Sequence, residues 1–130
     1  MAKGLEKHQH RLDLVALLGK DLARRAKSKC ELCEGVEGKL KPYEVEPLPE
    51  IPSIDNAFLM CEKCRADIEK NNYDQNRWRF LESVIWSELP PVQVTAVRVC
   101  KVLSSNGAEW AKELLETVYI NPTTEEWLKT

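Results

Sequence analysis

The sequence predicts a small α+β protein, and three of its features lead to that prediction. Four of its cysteines form two CxxC pairs, Cys30/Cys33 and Cys61/Cys64. Two short segments with strand character lie between the pairs, and the rest of the chain has mainly helical periodicity. We therefore expect a hairpin that carries the four cysteines to pack against a mainly helical C-terminal half.

The spacing of these cysteines is typical of one tetrahedral four-cysteine zinc site of the treble-clef or zinc-ribbon kind. Zinc takes four thiolates at about 2.3 Å, and a CxxC turn presents two of them from one short knuckle. Because protein would fill all four positions, the site is closed, and closed zinc sites are structural. We predict one structural zinc ion as the cofactor. Disulfides, catalytic or redox use of the thiols and an iron–sulfur cluster are the alternatives.

Length and composition fit one small domain, or a small domain with an appendage. The chain has 130 residues, of which 43% are hydrophobic. No apolar run approaches the roughly 18 residues of a membrane span, and the N-terminus lacks the apolar core of a signal peptide. Since reduced thiols that bind metal belong to a reducing compartment, we expect a cytoplasmic protein with no membrane partner.

Charge is unevenly distributed along the chain. Residues 1–30 carry eight Lys and Arg against three Asp and Glu, whereas residues 31–130 carry eleven against eighteen. Such asymmetry can mark a basic arm that binds nucleic acid or an acidic partner, or it can be a solvated helix face. The basic side chains available for a nucleic-acid contact are Arg24, Arg25, Lys27 and Lys29.

The N-terminal segment, residues 1–28, is predicted to be basic and helical. A single helix is expected over 11–27, because Leu14, Leu18 and Leu22 recur four residues apart. Residues 29–130 are then expected to form the metal-binding domain. That domain divides into a zinc hairpin and a helical layer, over 29–70 and 76–130.

Within the hairpin, strands over 40–46 and 57–60 are predicted to precede a helix over 62–70. A knuckle, a hairpin and a helix that begins at the second CxxC make the treble-clef arrangement. The helix N-terminus adds positive partial charge beside a ZnS₄ centre of formal charge −2. Three basic side chains flank the ligands and should offset that charge further: Lys29, Lys63 and Arg65.

The helical layer begins with a predicted helix over 77–87, which places Trp78, Leu81 and Ile85 on one face. Pro90 suits the first turn of the next helix. The stretch that follows is rich in β-branched residues and stays open between helix and strand. Capping signals at Asn106–Glu109 and Thr123–Glu126 predict the starts of two more helices.

The hairpin also resembles a degenerate HNH endonuclease scaffold. Asn56 lies five residues before Cys61, and Pro47 follows the first strand, as in that scaffold. However, the strand carries no His to activate water, and Arg65 stands where a metal-binding His is expected. Metal-assisted hydrolysis needs a general base and an open metal site. The resemblance therefore implies the fold without the activity.

Five further side chains need an interpretation. Glu44 and Glu46 share a strand face and could hold Mg²⁺, although exposure to solvent is the commoner role for such residues. His8 and His10 could ligate a metal, but a spacing of two splays them apart on a helix, so exposure is again expected. Cys100 falls on an apolar helix face, which indicates a buried and inert thiol.

A series of specific motifs runs from about Lys29 to the C-terminus. It consists of the CELC knuckle, the Tyr43-Glu44-Val45 strand, the MCEKC turn, NRWRF from Asn76, WSELPPV from Trp86, WAKELL from Trp110 and TEEW from Thr124. On these motifs the chain resembles the PhnA family, the alkylphosphonate-utilisation operon proteins of bacteria. Many members continue into a small all-β domain, whereas this chain stops at Thr130. The family name records operon context and does not imply chemistry on phosphonates.

The four tryptophans could stack nucleic-acid bases, but helical spacing favours a role in the core. They are Trp78, Trp86, Trp110 and Trp127. The function expected from all these observations is a zinc-stabilised, non-enzymatic binding or regulatory module with an unidentified protein partner. Nucleic-acid binding through the basic N-terminal helix is the alternative, and a metal-dependent nuclease or a phosphonate-related enzyme is a third.

Overall fold

The computed structural model describes residues 2–36 and 38–130, and it confirms the predicted small α+β class. The elements follow the chain as α1 (Ala2–Leu17), α2 (Gly19–Ala26), β1 (Leu40–Glu44), β2 (Ala57–Cys61), α3 (Glu62–Lys70), α4 (Leu81–Val84), α5 (Pro90–Ser105), α6 (Glu109–Thr117) and α7 (Pro122–Leu128). Short 3₁₀ helices, Ile54–Asn56 and Arg77–Phe80, precede β2 and α4. The strands form an antiparallel hairpin, and residues of the hairpin and of α4 to α6 share one apolar core.

The first strand is shorter than predicted. The sequence indicates a strand over 40–46, but β1 ends at Glu44. Two residues later, the Glu46 carbonyl accepts a hydrogen bond from Trp127 Nε1 at 2.8 Å, so it faces α7 rather than β2. The next residue, Pro47, has no N–H to continue a ladder.

The second strand passes directly into a helix. All five residues of β2 are buried, and its last residue, Cys61, is also the N-cap of α3. α3 covers the predicted range 62–70, and it ends at Asn71, which has left-handed backbone angles (φ 50°). The treble-clef order of knuckle, hairpin and helix is thus present.

The N-terminal segment contains two helices, whereas the sequence predicts one over 11–27. α1 and α2 are separated by Leu18, and α2 begins at Gly19. A Cβ at Gly19 would lie 3.9 Å from the Pro42 ring, so the break lies beside the hairpin. Low helix propensity at glycine fits a break there.

Helix α2 packs its apolar face on the hairpin. Leu22 is fully buried and forms a small cluster with Ala57 and Leu59 of β2. The helix ends at Lys27, which has left-handed backbone angles (φ 55°). The N-terminal segment therefore contributes its own apolar contact to the metal-binding hairpin.

Helix α5 is the centre of the helical layer. Pro90 and Pro91 occupy its first turn, as predicted. The β-branched stretch over 92–102, which the sequence leaves open, is helical throughout. Ten of the 16 residues of α5 are buried, and they include every residue from Pro91 to Val97, so this part of the helix is enclosed on all sides. Packing on several sides outweighs the modest β preference of its valines.

The segment around Trp78 follows its prediction in packing but not in regularity. Trp78, Leu81 and Ile85 are all fully buried. However, a 3₁₀ turn followed by the short helix α4 replaces the continuous helix expected over 77–87. The core role predicted for the tryptophans is wrong for Trp86, which is 49% exposed. The other two, Trp110 and Trp127, are half-buried against the core.

Two predicted helix caps are in the wrong place. Asn106 is the C-cap of α5, where its N–H donates to carbonyls of the last turn of that helix. The N-cap of α6 is Ala108, whose side chain makes no capping hydrogen bond. Asn121, not Thr123, caps α7, because its Oδ1 accepts the Thr123 N–H at 2.9 Å. Both helices exist, and only their starting residues differ. Within residues 2–36 and 38–130, each helix is too short or too polar to cross a bilayer.

Candidate metal centre

The four predicted ligands converge on one point. Their sulfurs lie within 4.8 Å of one another. Cys30 Sγ is 3.9 Å from Cys64 Sγ, and Cys33 Sγ is 3.7 Å from Cys61 Sγ. A tetrahedron with four Zn–S bonds of about 2.3 Å has S···S edges of about 3.8 Å, whereas a disulfide requires about 2.05 Å. The four cysteines can therefore hold one metal ion, and they are free thiols here.

The first knuckle is a tight turn closed by Gly35. The Cys30 N–H donates to the Gly35 carbonyl at 2.9 Å, and the Gly35 N–H donates to Cys33 Sγ at 3.4 Å. A Cβ at Gly35 would lie only 3.2 Å from Cys33 Sγ, so a larger residue would press on this sulfur. The knuckle is tied to β2 because Glu31 N–H donates to the Leu59 carbonyl at 2.9 Å.

The second pair uses the junction between β2 and α3. Cys61 ends the strand, and its Sγ accepts the Cys64 N–H at 3.4 Å from the first turn of the helix. The unpaired N–H groups and the dipole of a helix N-terminus favour negative charge there. Both sulfurs of this pair are thus fixed by the transition from strand to helix, which the spacing predicted.

Burial differs among the four cysteines. Cys30 and Cys64 are fully buried and Cys61 is 5% exposed, whereas Cys33 is half-buried. Four protein sulfurs would complete the shell of a tetrahedral ion. The arrangement is thus of the closed type, and its solvent-facing corner is the Cys33 sulfur.

The four thiols influence one another's ionisation. The pKa of Cys30 lies well below its ordinary value, because its sulfur takes part in hydrogen bonds with the side chains of Cys33 and Cys64. Hydrogen bonding to Cys30 raises the pKa of Cys33 to about 11, and it raises the pKa of Cys64 further. One thiolate thus suppresses the ionisation of its neighbours. A bound cation is what allows several thiolates to coexist in such a cluster.

The structure adds one residue that sequence reasoning missed, Arg77. Its Nη2 donates to Cys64 Sγ at 3.3 Å, and its Nη1 donates to Asp67 Oδ2 at 3.0 Å. Burial lowers the pKa of Arg77, but the hydrogen bond to Cys64 and the charges of Cys64 and Asp67 outweigh it and raise the pKa overall. Cys64 and Arg77 are 13 positions apart along the chain, and this spacing gave no signal for the contact.

Of the three basic residues predicted to offset the charge of the site, Lys63 and Arg65 contact other groups. Lys63 lies 3.8 Å from Asp67. Arg65 donates to the Pro42 carbonyl at 2.9 Å, with its guanidinium 5.6 Å from the centre of the Tyr43 ring. The third, Lys29, is exposed. A basic residue next to a cysteine in the sequence was therefore not the one whose side chain contacts a sulfur, since Arg77 makes that contact.

Arg25 belongs to a structural contact rather than to an open basic surface. It donates from Nε and Nη2 to both oxygens of Glu31, at 3.0 and 2.9 Å, and from Nη2 to the Ala57 carbonyl at 2.9 Å. The Glu31 carboxylate also accepts the Leu59 N–H at 2.9 Å, and its side chain is 6% exposed. Of the predicted nucleic-acid residues, Arg24, Lys27 and Lys29 are exposed.

The two carboxylates considered for Mg²⁺ have different surroundings. Glu44 is paired with Arg11, whose Nη2 lies 2.7 Å from Oε1, and its side chain is only 13% exposed. Expecting Glu44 to face solvent was therefore wrong, whereas Glu46 is exposed. His8 and His10 lie on α1 and are exposed, as expected.

The fifth cysteine is buried away from the cluster, as predicted. Cys100 on α5 is fully buried, and its thiol donates to the Ala111 carbonyl at 3.3 Å. Burial raises the pKa of this thiol to about 11. A thiol of this kind is mostly protonated near neutral pH and is a poor nucleophile.

Comparison with family models, curated proteins and solved structures finds no match to this chain. The resemblances to the PhnA family and to an HNH scaffold therefore stay predictions from motifs. The geometry of the structure shows a closed cluster of four thiols that can hold one metal ion.

Proposed function

We propose that the four cysteines bind one zinc ion and that the chain is a zinc-stabilised, non-enzymatic binding or regulatory module. The observation that carries the proposal is the convergence of Cys30, Cys33, Cys61 and Cys64 to within 4.8 Å. A closed shell of four cysteines leaves no position for water or substrate. The ion would act by holding structure together rather than by chemistry on a ligand.

The hairpin has a physical need for such an ion. Its two strands contain five residues each, and an isolated two-stranded hairpin is marginally stable at best. An ion held by both CxxC pairs would join the knuckle, the end of β2 and the first turn of α3. Metal binding then contributes directly to the free energy of folding.

Membership of the PhnA family is part of this proposal, and it rests on the motifs in the second half of the chain. Recognition of a phosphonate oxyanion would call for a cluster of Arg or Lys. In the NRWRF motif, Arg77 is used by Cys64 and Asp67, and Arg79 pairs with Glu82. Because both arginines already have partners within the protein, we infer that the motif supports the fold rather than binds an oxyanion.

Metal analysis of the purified chain tests the zinc proposal. We expect one zinc per chain, and loss of that zinc together with the native fold of the hairpin in Cys61→Ser. Cys100→Ala is the matched control, since Cys100 lies outside the cluster, and it should keep full zinc. A Cys61→Ser variant with full zinc and native thermal stability would refute the structural role. Iron in place of zinc would redirect the proposal to an iron–sulfur site.

Nucleic-acid binding is a second candidate, and one observation favours it. Lys20 and Arg24 are exposed and lie at i and i+4, on one face of α2, and the exposed Lys27 follows at the end of the helix. The opposite face carries the buried Leu22. Lys29, also exposed, follows this basic face along the chain.

Fluorescence anisotropy with labelled duplex DNA, single-stranded DNA and RNA tests this candidate at low and near-physiological salt. Electrostatic binding should fall steeply as salt rises, and it should weaken when Lys20, Arg24 and Lys27 are changed to Gln. Neutralising three exposed lysines elsewhere provides the control, at Lys101, Lys112 and Lys129. Equal loss in both triple variants, or no binding even at low salt, would leave a protein partner as the proposal.

A further inference from the structure

We propose that Arg77 is a positioning residue for the metal, which holds the Cys64 sulfur in place by a hydrogen bond and slows the release of zinc. This inference rests on the zinc site proposed above and extends it to a residue outside the two CxxC pairs. It assigns a role to Arg77, the first arginine of the NRWRF segment. No motif in the sequence marks this residue as part of the metal site.

Contact geometry supports this role. Nη2 of Arg77 donates to Cys64 Sγ at 3.3 Å, while Nη1 of the same guanidinium donates to Asp67 Oδ2 at 3.0 Å. Asp67 is itself held, because the same oxygen accepts Trp78 Nε1 at 2.9 Å. The arginine fork therefore bridges a sulfur and a carboxylate that both belong to α3. A planar guanidinium can make two such bonds at once.

The surroundings of the guanidinium strengthen the contact. Its central carbon lies 5.5 Å from the centre of the Trp78 ring and 5.6 Å from that of Phe80. The Arg77 side chain is 24% exposed. Aromatic rings and partial burial exclude water, and charged hydrogen bonds are stronger where water is excluded.

Charge explains why the metal would need this residue. A zinc ion with four thiolates has a formal charge of −2. Backbone N–H groups donate to Cys33 from Gly35 and to Cys61 from Cys64, but such groups carry no net charge. Arg77 adds a full positive charge beside the fully buried Cys64. Partners of this outer kind are typically worth about 10- to 100-fold in metal affinity.

The test compares zinc release from the wild-type protein and from Arg77→Met, with a chelator in excess. Met keeps much of the apolar stem that packs on the rings, but it has no donor. Arg79→Met is the matched control, because Arg79 lies on the same 3₁₀ turn, pairs with Glu82 and stacks on Trp110. We expect zinc to leave Arg77→Met about 10-fold faster or more, and to leave Arg79→Met at the wild-type rate.

A spectroscopic readout separates this role from general stability. In the cobalt-substituted protein, loss of a hydrogen bond to Cys64 Sγ should move the sulfur-to-cobalt charge-transfer band to longer wavelength in Arg77→Met only. If Arg77→Met binds metal too poorly for this spectrum, Arg77→Lys serves instead, since it keeps the charge but lacks the two-pronged fork. Its zinc release should lie between those of Arg77→Met and the wild type.

The outcomes distinguish this inference from the zinc proposal. Faster release with a shifted cobalt band in Arg77→Met, and neither change in Arg79→Met, supports the inference. Wild-type release rates in both Arg77 variants overturn it while leaving the zinc site intact. A wild-type protein that takes up neither zinc nor cobalt overturns both proposals together.

Discussion

The hairpin half and the helical half of this molecule depend on different interactions. The helical half is built around α5, which buries ten of its 16 residues, and it resembles the core of a larger protein in its apolar packing. The hairpin half has two five-residue strands, and its turn and helix N-terminus bring four thiols together. One half is stabilised mainly by apolar burial, and the other contains a cluster of four thiols that can hold one metal ion.

Removal of the metal should therefore affect the two halves unequally, and this is the largest effect we expect. Apparent binding free energies of structural zinc are about 10–16 kcal/mol in small zinc domains, so its loss should lower the melting temperature by about 15 °C or more. Hydrogen exchange followed by mass spectrometry should show lost protection in 28–70 and retained protection in α5. Equal loss in both regions would contradict the comparison.

A cavity in α5 should produce the opposite pattern. Leu103 is fully buried, and truncation of a buried Leu to Ala costs about 2–5 kcal/mol. We expect Leu103→Ala to lower the free energy of unfolding by that amount in denaturant titrations while one zinc per chain is retained. Leu17→Ala is the control, since Leu17 is 73% exposed and should change little. Zinc loss from Leu103→Ala would mean that the two halves are not separable.

Gln93 offers a smaller test of the helical half. Its side chain is 2% exposed, donates to the carbonyls of Ile85 and Tyr119 at 2.9 and 3.1 Å, and accepts the Asn121 N–H at 3.2 Å. Gln93→Leu would leave the buried Ile85 carbonyl and two partly buried backbone groups without this partner, at a cost of about 1–3 kcal/mol. Thermal unfolding measures the change. The exposed Gln75 gives the control Gln75→Leu, and equal stability of both variants would contradict the prediction.

The smallest effect concerns the thiols, which should fall into two classes. After chelation of the metal, a thiol reagent at mildly alkaline pH should modify the four cluster cysteines, while Cys100 reacts only after unfolding. Full burial and a pKa raised to about 11 protect it. Rapid modification of all five thiols while the helical half stays folded would show that α5 is more open than its packing indicates.

The same thiol has a pH dependence with a definite sign. Its folded-state pKa, about 11, lies above the ordinary value of 9.0. Between these values the unfolded chain binds fewer protons than the folded one, so rising pH lowers stability. The contribution of Cys100 is present below pH 9 and is lost as pH rises toward 11. Cys100→Ala should therefore lose less stability than the wild type between about pH 8.5 and about pH 10.5, as measured by denaturant titration.

Sequence motifs and periodicity correctly predicted those parts of the fold that depend on residues close together along the chain. The CxxC spacing placed the knuckle and the start of α3, because the ligands and the strand-to-helix junction are close in sequence. Trp78, Leu81 and Ile85 were predicted as one face, and all three are fully buried. Pro90 and Pro91 marked the first turn of α5 correctly. In each case the residues that determine the structure are neighbours along the chain.

Contacts between distant segments account for what the sequence could not predict. Trp127 binds the Glu46 carbonyl from 81 residues away, and β1 ends before that residue. The sequence places Arg25 in a basic surface, because composition does not tell which carboxylate, here Glu31, faces it. Arg77 reaches Cys64 because the chain turns back over residues 71–76, between the end of α3 and the 3₁₀ turn that begins at Arg77. Side-chain partners of this kind depend on the tertiary fold.

Glu31 gives the N-terminal helices a practical importance for anyone who shortens this protein. Its nearly buried carboxylate is neutralised by Arg25 of α2 and receives the Leu59 N–H of β2. A fragment that starts at Lys29 would keep this acid and lose its cation, and it would uncover the apolar surface that Leu22 protects. An unpaired carboxylate in such a setting strongly destabilises a fold. Any shortened version of the metal-binding half should therefore retain α2.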